Sequence, residues 1–392
     1  MAIPEPIKPG PGPLADIVVA WQRRHGRHHL PWQGTRDPYR IWLSEIMLQQ
    51  TQVATVTAYY LRFLQRFPDI AALASATQDE VMPYWAGLGY YARARNLHRC
   101  AQVVVEQWGG AFPATSAQIA QLPGIGRSTA AAIAAFSYGE RSPIMDGNVK
   151  RVFTRYFGIY GETSTRLTEQ ALWTTAETLL VAASPDLDMA AYTQGLMDLG
   201  SECCTRSRPD CPVCPLRDGC YAYRNDKQQE LPTRKKKKAS PERQCTMLIL
   251  EHDGCILLEL QPSPGIWGGL WSLPRYDDEP QLLAACADWV DAPARAQRMA
   301  ALTHVFTHFR LHIEPWYLKN AGSALAPTLP DQTADSGQAG ALPEVGPARR
   351  WVPIDALDAA ALPAPVRKIL DGLYGSVADC EARQASLPLC QP

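Results

Sequence analysis

Apolar residues recur with helical spacing through the first part of the chain. Between Leu14 and about Arg224, alanine-rich segments such as "TAAAIAAFSYG" are separated by Gly and Pro, and strand-like runs are scarce. Residues 14–225 are therefore predicted to be a helical region.

The pattern changes in the second part of the chain. "CTMLILEHDGCILLEL" predicts two strands joined by a turn at Asp253-Gly254, and "RLHIEPWYL" predicts another strand. "PAPVRKILDGLYG" predicts a closing helix. We therefore expect a smaller α+β domain over residues 244–376, interrupted by a low-complexity, disordered insertion at 319–349.

Pro-rich and charged segments mark the boundaries of these regions. Residues 1–13 predict a flexible tail, residues 226–243 a basic linker, and residues 377–392 a second tail. The charge run Arg234–Lys238 in the linker is either a solvated surface run or a contact to DNA phosphates.

Composition narrows the class of protein. The 392 residues, 46% of them hydrophobic, suffice for two or three domains, and a net charge of −1 argues neither for nor against nucleic acid. The N-terminus lacks the apolar segment of a secretory signal, and no apolar run is long enough for a membrane span. We expect a protein in a reducing compartment such as the cytoplasm.

A short loop over residues 204–220 carries four closely spaced cysteines. They are Cys204, Cys211, Cys214 and Cys220. Soft thiolates select an iron–sulfur cluster, zinc or copper(I), and zinc sites usually present two C-x2-C pairs, whereas this loop has one. We expect one [4Fe-4S] cluster, with zinc or disulfides as alternatives. Cys203 adjoins this set, but the six-residue gap fits Cys204 better.

A glycine-rich turn lies between two predicted helices at about residues 116–138. It contains Leu122, Gly124 and Gly126, and the second helix begins near Arg127. Glycines allow close backbone approach, and the free N–H groups of the following helix attract anions. The turn resembles a helix–hairpin–helix motif that holds a DNA phosphate; a plain helix connection is the alternative.

Two carboxylates stand in different sequence environments. Asp146 precedes a helical pattern, where cap hydrogen bonds would lower its pKa. Glu45 lies on a predicted helix beside Trp42 and Ile46, where partial burial would raise its pKa. Such a pair can cleave a glycosidic bond. A simple helix cap and an exposed Glu remain the alternatives, because the sequence alone does not bring them together.

Several longer motifs give the chain a family resemblance. They are "LPWQ", "WLSEIMLQQTQVATV", "AGLGYYARARNLH", "LPGIGRSTAAAI", "IMDGNVKRV", "QGLMDLG", the cysteine loop and "IWGGLWSLP". Together they resemble the MutY-type adenine DNA glycosylases of the endonuclease III-like superfamily. The resemblance implies a mostly α N-terminal region, with a six-helix barrel, a helix–hairpin–helix and an iron–sulfur cluster domain, followed by a smaller α+β Nudix-like domain.

The resemblance also implies a reaction. The family removes adenine mispaired with 8-oxoguanine, or with G, from double-stranded DNA. Glu45 would protonate adenine N7, and Asp146 would stabilise the oxocarbenium-like state before water attacks. The product would be an abasic site, as expected for a hydrolase of the N-glycosyl bond in base excision repair.

Further site residues follow from the same resemblance. The family residues that support the active site correspond to Asn148 and Ser128. Those that form the adenine pocket correspond to Trp32, Gln33, Leu48 and Gln194. Contacts to the lesion and the DNA match Gln50, Thr51, Leu88, Tyr90, Leu122, Gly124, Gly126, Arg127, Thr307 and His308. The target base must leave the duplex to react, and an aromatic wedge such as Tyr90 would fill the gap in the base stack.

Two positions refine the expected activity. Ser128 stands where related bifunctional glycosylases carry a Lys, and a serine cannot form the Schiff base that drives strand cleavage, so we expect a monofunctional enzyme. The C-terminal domain lacks an R-E-x-x-E-E string for Mg²⁺, which favours lesion recognition over nucleotide hydrolysis. Its Phe306-Thr307-His308 replaces the family's Phe-Ser-His and keeps a hydroxyl.

Two other functions are weighed against this one. A pyrimidine-type glycosylase/lyase would conflict with Ser128 and with the Nudix-like domain. A non-enzymatic iron–sulfur DNA-binding protein or redox sensor would leave Glu45 and Asp146 without a role.

Overall fold

The computed structural model describes residues 14–235, 240–287, 296–319 and 348–375. These residues form two compact units. Residues 14–76 and 96–235 make up a helical unit, and the remaining described residues make up a C-terminal unit. Within the described ranges, no helix combines the length and apolar character needed to cross a lipid bilayer.

Helices build the first unit, as the sequence predicts. They are α1 Leu14–His25, α2 Pro38–Leu48, α3 Val53–Arg66, α4 Ile70–Ser75, α6 Ala92–Trp108 (from Asn96 onward), α7 Ser116–Ile119, α8 Arg127–Tyr138, α9 Gly147–Phe157, α10 Arg166–Ala182, α11 Met189–Asp198 and α12 Tyr221–Arg224. A π-helical turn follows α11 at Leu199–Cys203, and short 3-10 turns lie at Cys211–Val213 and Arg217–Gly219.

Side-chain caps and glycines fix where these helices begin and end. Asp37, Asp146 and Asp188 precede α2, α9 and α11, and each carboxylate accepts a backbone N–H of the first turn. Gly139 and Gly158 end α8 and α9 in the left-handed conformation that glycine adopts without strain.

Small residues on α8 let the helices around the site pack closely. Ala130–Ala135 are all buried, and α8 contacts both α2 and α11. Trp42 of α2 and Phe153 of α9 are completely buried. The helices that carry Glu45 and Asp146 are therefore held by close-packed apolar side chains.

The C-terminal unit combines a mixed sheet with helices. Its elements are α5 Gln78–Trp85, β1 Glu242–His252, β2 Cys255–Leu260, β3 Trp271–Ser272, β4 Arg275–Tyr276, α13 Glu279–Ala287, β5 Gln297–Arg298, β6 Leu302–Val305, β7 Arg310–Lys319, β8 Arg349–Pro353, a 3-10 turn Ile354–Ala359 and α14 Ala364–Tyr374. The strand order is β3-β2-β1-β7-β5; β4 also pairs with β1, β6 with β7 and β8 with β2. β1 and β7 run parallel, and the other pairs are antiparallel.

The sequence prediction for this domain is confirmed in its main elements. The predicted hairpin joins β1 to β2, and both turn residues, Asp253 and Gly254, have positive φ, as two-residue hairpin turns require. The predicted strand and closing helix are β7 and α14.

Segment 77–95 groups with the C-terminal unit, although the sequence analysis assigned it to the helical region. Long-range hydrogen bonds explain this grouping. The Tyr90 and Thr307 hydroxyls share a hydrogen bond of 2.7 Å, and Arg95 donates one to the Gly268 carbonyl.

Some predicted segments lie outside the described residues. They are the tail 1–13, part of the charge run (236–238), most of the insertion (320–347) and the tail 377–392.

Candidate active site

Glu45 on α2 and Asp146 before α9 line one cavity of about 950 Å³, which we call the main cavity. Seven of the other residues expected in the site also line it. They are Trp32, Leu48, Gln50, Thr51, Ser128, Asn148 and Gln194. The fold therefore brings together side chains that are up to 162 positions apart in the chain, counting from Trp32 to Gln194.

A smaller cavity of about 410 Å³ adjoins the same acid. Glu45, Trp32 and Gln194 line both cavities, and Gln33 lines the smaller one. Each cavity is thus lined by Glu45 and by three of the four predicted adenine-pocket residues, with Leu48 lining the main cavity and Gln33 the smaller one.

The Glu45 carboxyl has the electrostatics of a proton donor. Its pKa is raised from 4.5 to about 8. Burial is the larger cause of this shift, and the nearby Asp146 carboxylate is the second. Neutral Glu45 is therefore the main form at pH 7. The sequence expectation of a raised pKa is confirmed.

Asp146 is the N-cap of α9, as predicted. Its Oδ1 accepts the Val149 N–H at 2.8 Å, and its Oδ2 accepts Asn148 Nδ2 at 3.0 Å. We expected these cap bonds to give Asp146 a lowered pKa; the bonds do act in that direction, but the expected net shift is wrong. Burial is the larger effect and raises the pKa, while the hydrogen bonds and Arg151 oppose the rise.

Asn148 is itself held from two sides. Its Oδ1 accepts a 2.8 Å hydrogen bond from Arg151 Nη2. Gly200, in the π-helical turn after α11, lies against it: a Cβ on Gly200 would stand 2.5 Å from Asn148 Cβ. The side chain that bonds Asp146 therefore has little freedom to move.

Ser128, near the start of α8, acts on the loop that carries Asp146. Its hydroxyl accepts the Met145 backbone N–H at 2.8 Å. Gln49 joins α2 to the same helix, since its Nε2 donates to Thr129 Oγ1 at 3.4 Å. Ser128, Gln49 and Thr129 all line the main cavity, so these bonds help to fix its wall.

The side chains expected in the adenine pocket are held by different contacts. Trp32 packs edge-on against Tyr60. Gln33 uses its amide on its own loop: Oε1 accepts the Leu30 N–H at 3.1 Å, and Nε2 donates to the Arg27 carbonyl at 2.9 Å. Gln194 Nε2 donates to Asp198 at 2.8 Å.

Sequence reasoning missed the pair of Arg27 and Asp198. Asp198 is fully buried and accepts the Arg27 backbone N–H at 2.9 Å and its Nε at 2.7 Å. Arg27 lines both cavities. The two residues are 171 positions apart, so no local pattern indicated the pair.

Gln50 and Thr51 form the rim of the main cavity after α2. Gln50 is exposed and has a φ of +58°, in the left-handed region that glutamine rarely adopts. A strained, exposed polar residue beside a cavity is typical of a functional site.

The predicted helix–hairpin–helix turn is formed. Gly124 has a φ of +77°, and a Cβ there would meet Asn96 Cβ at 2.6 Å, so the position requires glycine. Leu122 is buried, and Gly126 is the N-cap of α8. Because Gly126 has no side chain that could cap α8, the N–H groups in the first turn of α8 are available to an anion.

Arg127 has intramolecular partners. It forms an ion pair with Glu177, and its guanidinium lies 3.8 Å from the centre of the Trp173 ring. The side chain is still more than half exposed.

Tyr90 in the C-terminal unit has the features of a wedge. It is 44% exposed and has a φ of +50°, directly after Gly89, whereas Leu88 is buried. Its hydroxyl bonds Thr307, which is exposed like His308.

Aromatic rings support the loop that carries Thr307. Phe306 stacks on Phe309 at a centroid distance of 4.4 Å and contacts His304, which also lies beside Trp267. His304 is half-buried in this group, and burial lowers its pKa.

The four loop cysteines line a small cavity of about 30 Å³. Among the described residues, no three His, Cys, Asp or Glu side chains stand in the arrangement that holds a single metal ion. Four thiols around one space nevertheless match in number and softness the ligands of an iron–sulfur cluster, which spreads its thiolates farther apart than one ion does.

Arg155 on α9 holds the cysteine loop in shape. It is 2% exposed and donates to the carbonyls of Leu231 (2.9 Å), Thr205 (2.7 Å) and Arg206 (3.1 Å). It also lies 3.3 Å from Cys204 Sγ. Burial raises the pKa of the Cys204 thiol, and the Arg155 cation opposes that rise.

Two family models match the helical and the C-terminal parts of this chain. Residues 43–178 match the HhH-GPD superfamily of base excision DNA repair proteins, and residues 245–372 match a NUDIX domain. A solved structure of a thermostable thymine-DNA glycosylase is 30% identical, with a TM-score of 0.48, over 54% of this chain and 95% of that one.

Two curated relatives are similar over most of their length. The adenine DNA glycosylase of Buchnera aphidicola subsp. Acyrthosiphon pisum (strain APS) is 36% identical over 302 residues, 77% of this chain and 85% of that protein. The adenine DNA glycosylase of Homo sapiens is 31% identical over 415 residues, 90% of this chain and 72% of that protein. The chain therefore belongs to the adenine DNA glycosylases, a family of base excision repair hydrolases.

Proposed function

We propose that this enzyme removes adenine mispaired with 8-oxoguanine, and with G, from double-stranded DNA by hydrolysing the N-glycosidic bond. The observation that carries the proposal is the pairing of two carboxyl groups in one cavity, of which Glu45 is neutral at pH 7 because its pKa is raised to about 8. A neutral acid beside a second carboxylate suits protonation of a leaving base.

Glu45 acts first in the proposed reaction. The adenine leaves the base stack and enters the space between Trp32 and Gln194, where the Glu45 carboxyl protonates N7. Protonation draws electrons from the glycosidic bond, which makes the base a better leaving group.

Asp146 then stabilises the positive charge that develops on the sugar. Two hydrogen bonds, from Asn148 and from the Val149 backbone, fix its carboxylate and favour its ionised form against burial. Water completes the hydrolysis and leaves an abasic site.

Recognition of 8-oxoguanine is assigned to the C-terminal unit. Tyr90 and Thr307 are both exposed and share a hydrogen bond, so wedge and recognition loop act as one surface. The Thr307 hydroxyl and His308 would bond the lesion. The chain has no acidic string for Mg²⁺, which supports a binding role for this domain.

We further propose that the enzyme is monofunctional, acts as a monomer on DNA and works in the cytoplasm at the nucleoid. Ser128 supports the first point, because its hydroxyl is used to hold Met145 and an amine is absent from that position.

The cysteine loop is proposed to hold one [4Fe-4S] cluster through Cys204, Cys211, Cys214 and Cys220. When bound, the cluster ties four points of the loop together and supplies no step of the hydrolysis, which transfers no electrons. Arg155 shapes the backbone that presents these thiolates, and the loop arginines Arg206 and Arg208 would face the DNA backbone.

One experiment tests the proposal. Duplexes with A opposite 8-oxoguanine, A opposite G, A opposite T and T opposite G are incubated with the enzyme, and the products are resolved with and without alkali. We expect cleavage after alkali for the first two duplexes only. Glu45→Gln and Asp146→Asn should bind the duplex and leave it intact. Excision of T, or full turnover by either folded variant, contradicts the proposal.

A further inference from the structure

The amide of Gln194 is held in one orientation by Asp198. The two residues lie one turn apart on α11, and Gln194 Nε2 donates to Asp198 Oδ1 at 2.8 Å. A carboxylate has acceptors and no proton to donate, so only the NH2 end of the amide can face it. Among the described residues, none donates a hydrogen bond to Gln194 Oε1. The oxygen end of the amide is therefore available to a ligand in the cavities that Gln194 lines.

Asp198 is in turn fixed by Arg27. Its Oδ1 accepts the Arg27 Nε at 2.7 Å, and its Oδ2 accepts the Arg27 backbone N–H at 2.9 Å. Arg27 Nη2 also lies 2.7 Å from Oδ1. Every one of these contacts sets an N–H donor against a carboxylate oxygen, so Asp198 acts as an acceptor toward both of its partners.

Stability alone does not explain a fully buried acid at this position. Burying an ion pair costs the hydration of both charges, and a well-packed apolar pair is often at least as stable. Asp198 lines neither cavity itself, but both of its partners, Arg27 and Gln194, line both cavities together with Glu45. Its effect on a bound base therefore passes through those two side chains.

We propose that Asp198 is a positioning residue for base selection: it holds the Gln194 amide so that Oε1 accepts the 6-amino group of the extruded adenine. This inference rests on the proposed reaction, in which adenine enters the space between Trp32 and Gln194. It deepens that proposal by naming the residue that makes the pocket select a 6-aminopurine over a 6-oxopurine.

The two classes of purine differ at the atom next to N7. Adenine presents an acceptor at N7 and a donor at N6, whereas guanine presents acceptors at both N7 and O6. Protonation of N7 by Glu45 therefore does not separate the two classes. An amide oxygen beside position 6 does, because it accepts from an amino group and repels a carbonyl oxygen.

The fixed orientation is what gives Gln194 this selectivity. A glutamine amide has a donor end and an acceptor end, so an amide that turns freely would bond an amino group with one end and a carbonyl with the other. The bond to Asp198 removes the second possibility. A 6-oxopurine would then leave two acceptors facing each other without a proton between them, which disfavours its binding.

The test uses the full-length protein and three duplexes that differ only in the target base. The bases are adenine, hypoxanthine, which carries a 6-oxo group, and purine, which carries only hydrogen at position 6. Each lies opposite 8-oxoguanine. Single-turnover excision rates are measured, and the rate of each variant is divided by that of the unchanged protein on the same duplex. This ratio cancels the different leaving-group strengths of the three bases.

Asp198→Asn should change the three ratios differently. The new side chain offers Gln194 a donor as well as an acceptor, so the amide is no longer held in one orientation. Relative to purine, we expect excision of adenine to fall and excision of hypoxanthine to rise, each by about 2- to 10-fold, the worth of one hydrogen bond. Equal changes for all three bases would reflect a general disturbance of the site and would overturn the positioning role.

Glu259→Gln is the matched control. Glu259 is also a buried carboxylate paired with an arginine, Arg349 at 2.7 Å, but it belongs to the C-terminal unit and lines neither cavity. Its three ratios should be equal. A shift between adenine and hypoxanthine in this variant as large as in Asp198→Asn would contradict a role specific to Asp198.

Gln194→Met tests the same inference without changing Asp198, and it decides the matter if Asp198→Asn does not fold. Methionine removes both ends of the amide. If Oε1 is held toward the base, adenine excision should fall relative to purine, whereas hypoxanthine excision should rise because the opposing oxygen is gone. A freely turning amide would instead serve both bases, so a fall for both overturns the inference.

The unchanged protein separates this inference from the reaction on which it rests. If it excises no adenine opposite 8-oxoguanine, the proposed function is contradicted and the inference falls with it. If it excises adenine, and neither variant changes the preference between adenine and hypoxanthine, the proposed function stands and the positioning role of Asp198 is overturned.

Discussion

Arg151 donates a hydrogen bond of 2.8 Å from Nη2 to Asn148 Oδ1, while its Nε donates to the Cys204 carbonyl at 2.7 Å. One side chain thus connects the cysteine loop to the amide that holds Asp146. A chain of hydrogen bonds therefore runs from the loop to the active site, and we expect the loop to influence catalysis by positioning Asn148 and Asp146.

Replacing Arg151 by Lys should slow base excision while leaving DNA binding nearly unchanged. Lysine has no planar guanidinium, so it cannot bond Asn148 and the loop carbonyl together. A hydrogen bond to a charged group is worth about 1.5–3 kcal/mol, so we expect the excision rate to fall by about 10- to 150-fold. Single-turnover excision rates and duplex affinity measure the two effects.

The matched control for Arg151 is Arg141→Lys. Arg141 also donates to backbone carbonyls, those of Leu180 and Ala183, but it does not line the main cavity. Equal loss of rate in both variants would mean that general destabilisation, and not Asn148, explains the effect.

The pH dependence of excision should be bell-shaped. Glu45 must be protonated, so the rate should fall above pH about 8, by about tenfold per pH unit. Asp146 must be ionised, and because its pKa is raised, the acid limb should lie above the ordinary value of 3.8. Single-turnover rates across pH check both limbs, and a rate that stays constant from pH 7 to about pH 10 excludes Glu45 as the acid.

The same shift of the Glu45 pKa affects stability. When the pKa of a carboxyl is higher in the folded than in the unfolded protein, rising pH deprotonates the unfolded chain at a lower pH and so favours unfolding. The stability contributed by neutral Glu45 should be complete below pH 4.5 and should be lost as pH rises to about 8. Glu45→Gln removes this dependence, so unfolding free energies of the two proteins should diverge across that range.

Short-range features of the site could be predicted from the sequence, and long-range ones could not. The Asp146 cap, the Gly124 turn and the apolar neighbours of Glu45 are local patterns, and the structure confirms them. The partner of Arg27 lies 171 residues away, and the grouping of segment 77–95 depends on Thr307, 217 residues from Tyr90. The pKa of Asp146 was misjudged because a local pattern reports its cap hydrogen bonds but not its burial.

Ser128→Lys should add strand-cleaving activity. An amine at this position can form a Schiff base with the sugar, which borohydride traps as a covalent complex with DNA. The same change removes the acceptor of the Met145 N–H, so base excision should slow. Ser128→Ala is the matched control, since it loses the same bond without gaining an amine. A trapped complex with the unchanged protein would contradict monofunctional chemistry.

Tyr90→Phe should weaken the preference for 8-oxoguanine over G opposite the adenine. It removes the hydroxyl that bonds Thr307 and keeps the ring. One hydrogen bond is worth about 0.5–1.5 kcal/mol, so we expect the ratio of the two excision rates to fall by about 2- to 10-fold. Tyr138→Phe, which changes an exposed tyrosine of the helical unit, should leave that ratio unchanged.

Gly200→Ala tests whether the position of Asn148 limits the reaction. The added Cβ would stand 2.5 Å from Asn148 Cβ and 3.0 Å from its Cα, so Asn148 must shift, and we expect its hydrogen bond to Asp146 to weaken. Overpacking of this kind costs about 1–3 kcal/mol of unfolding free energy, and the displaced amide should also lower the single-turnover rate. Gly372→Ala is the control, because a Cβ there meets nothing within 4 Å. Chemical denaturation measures the loss of stability, and excision kinetics measure the loss of rate. A variant that loses stability but keeps its full rate would show that Asp146 acts without help from Asn148.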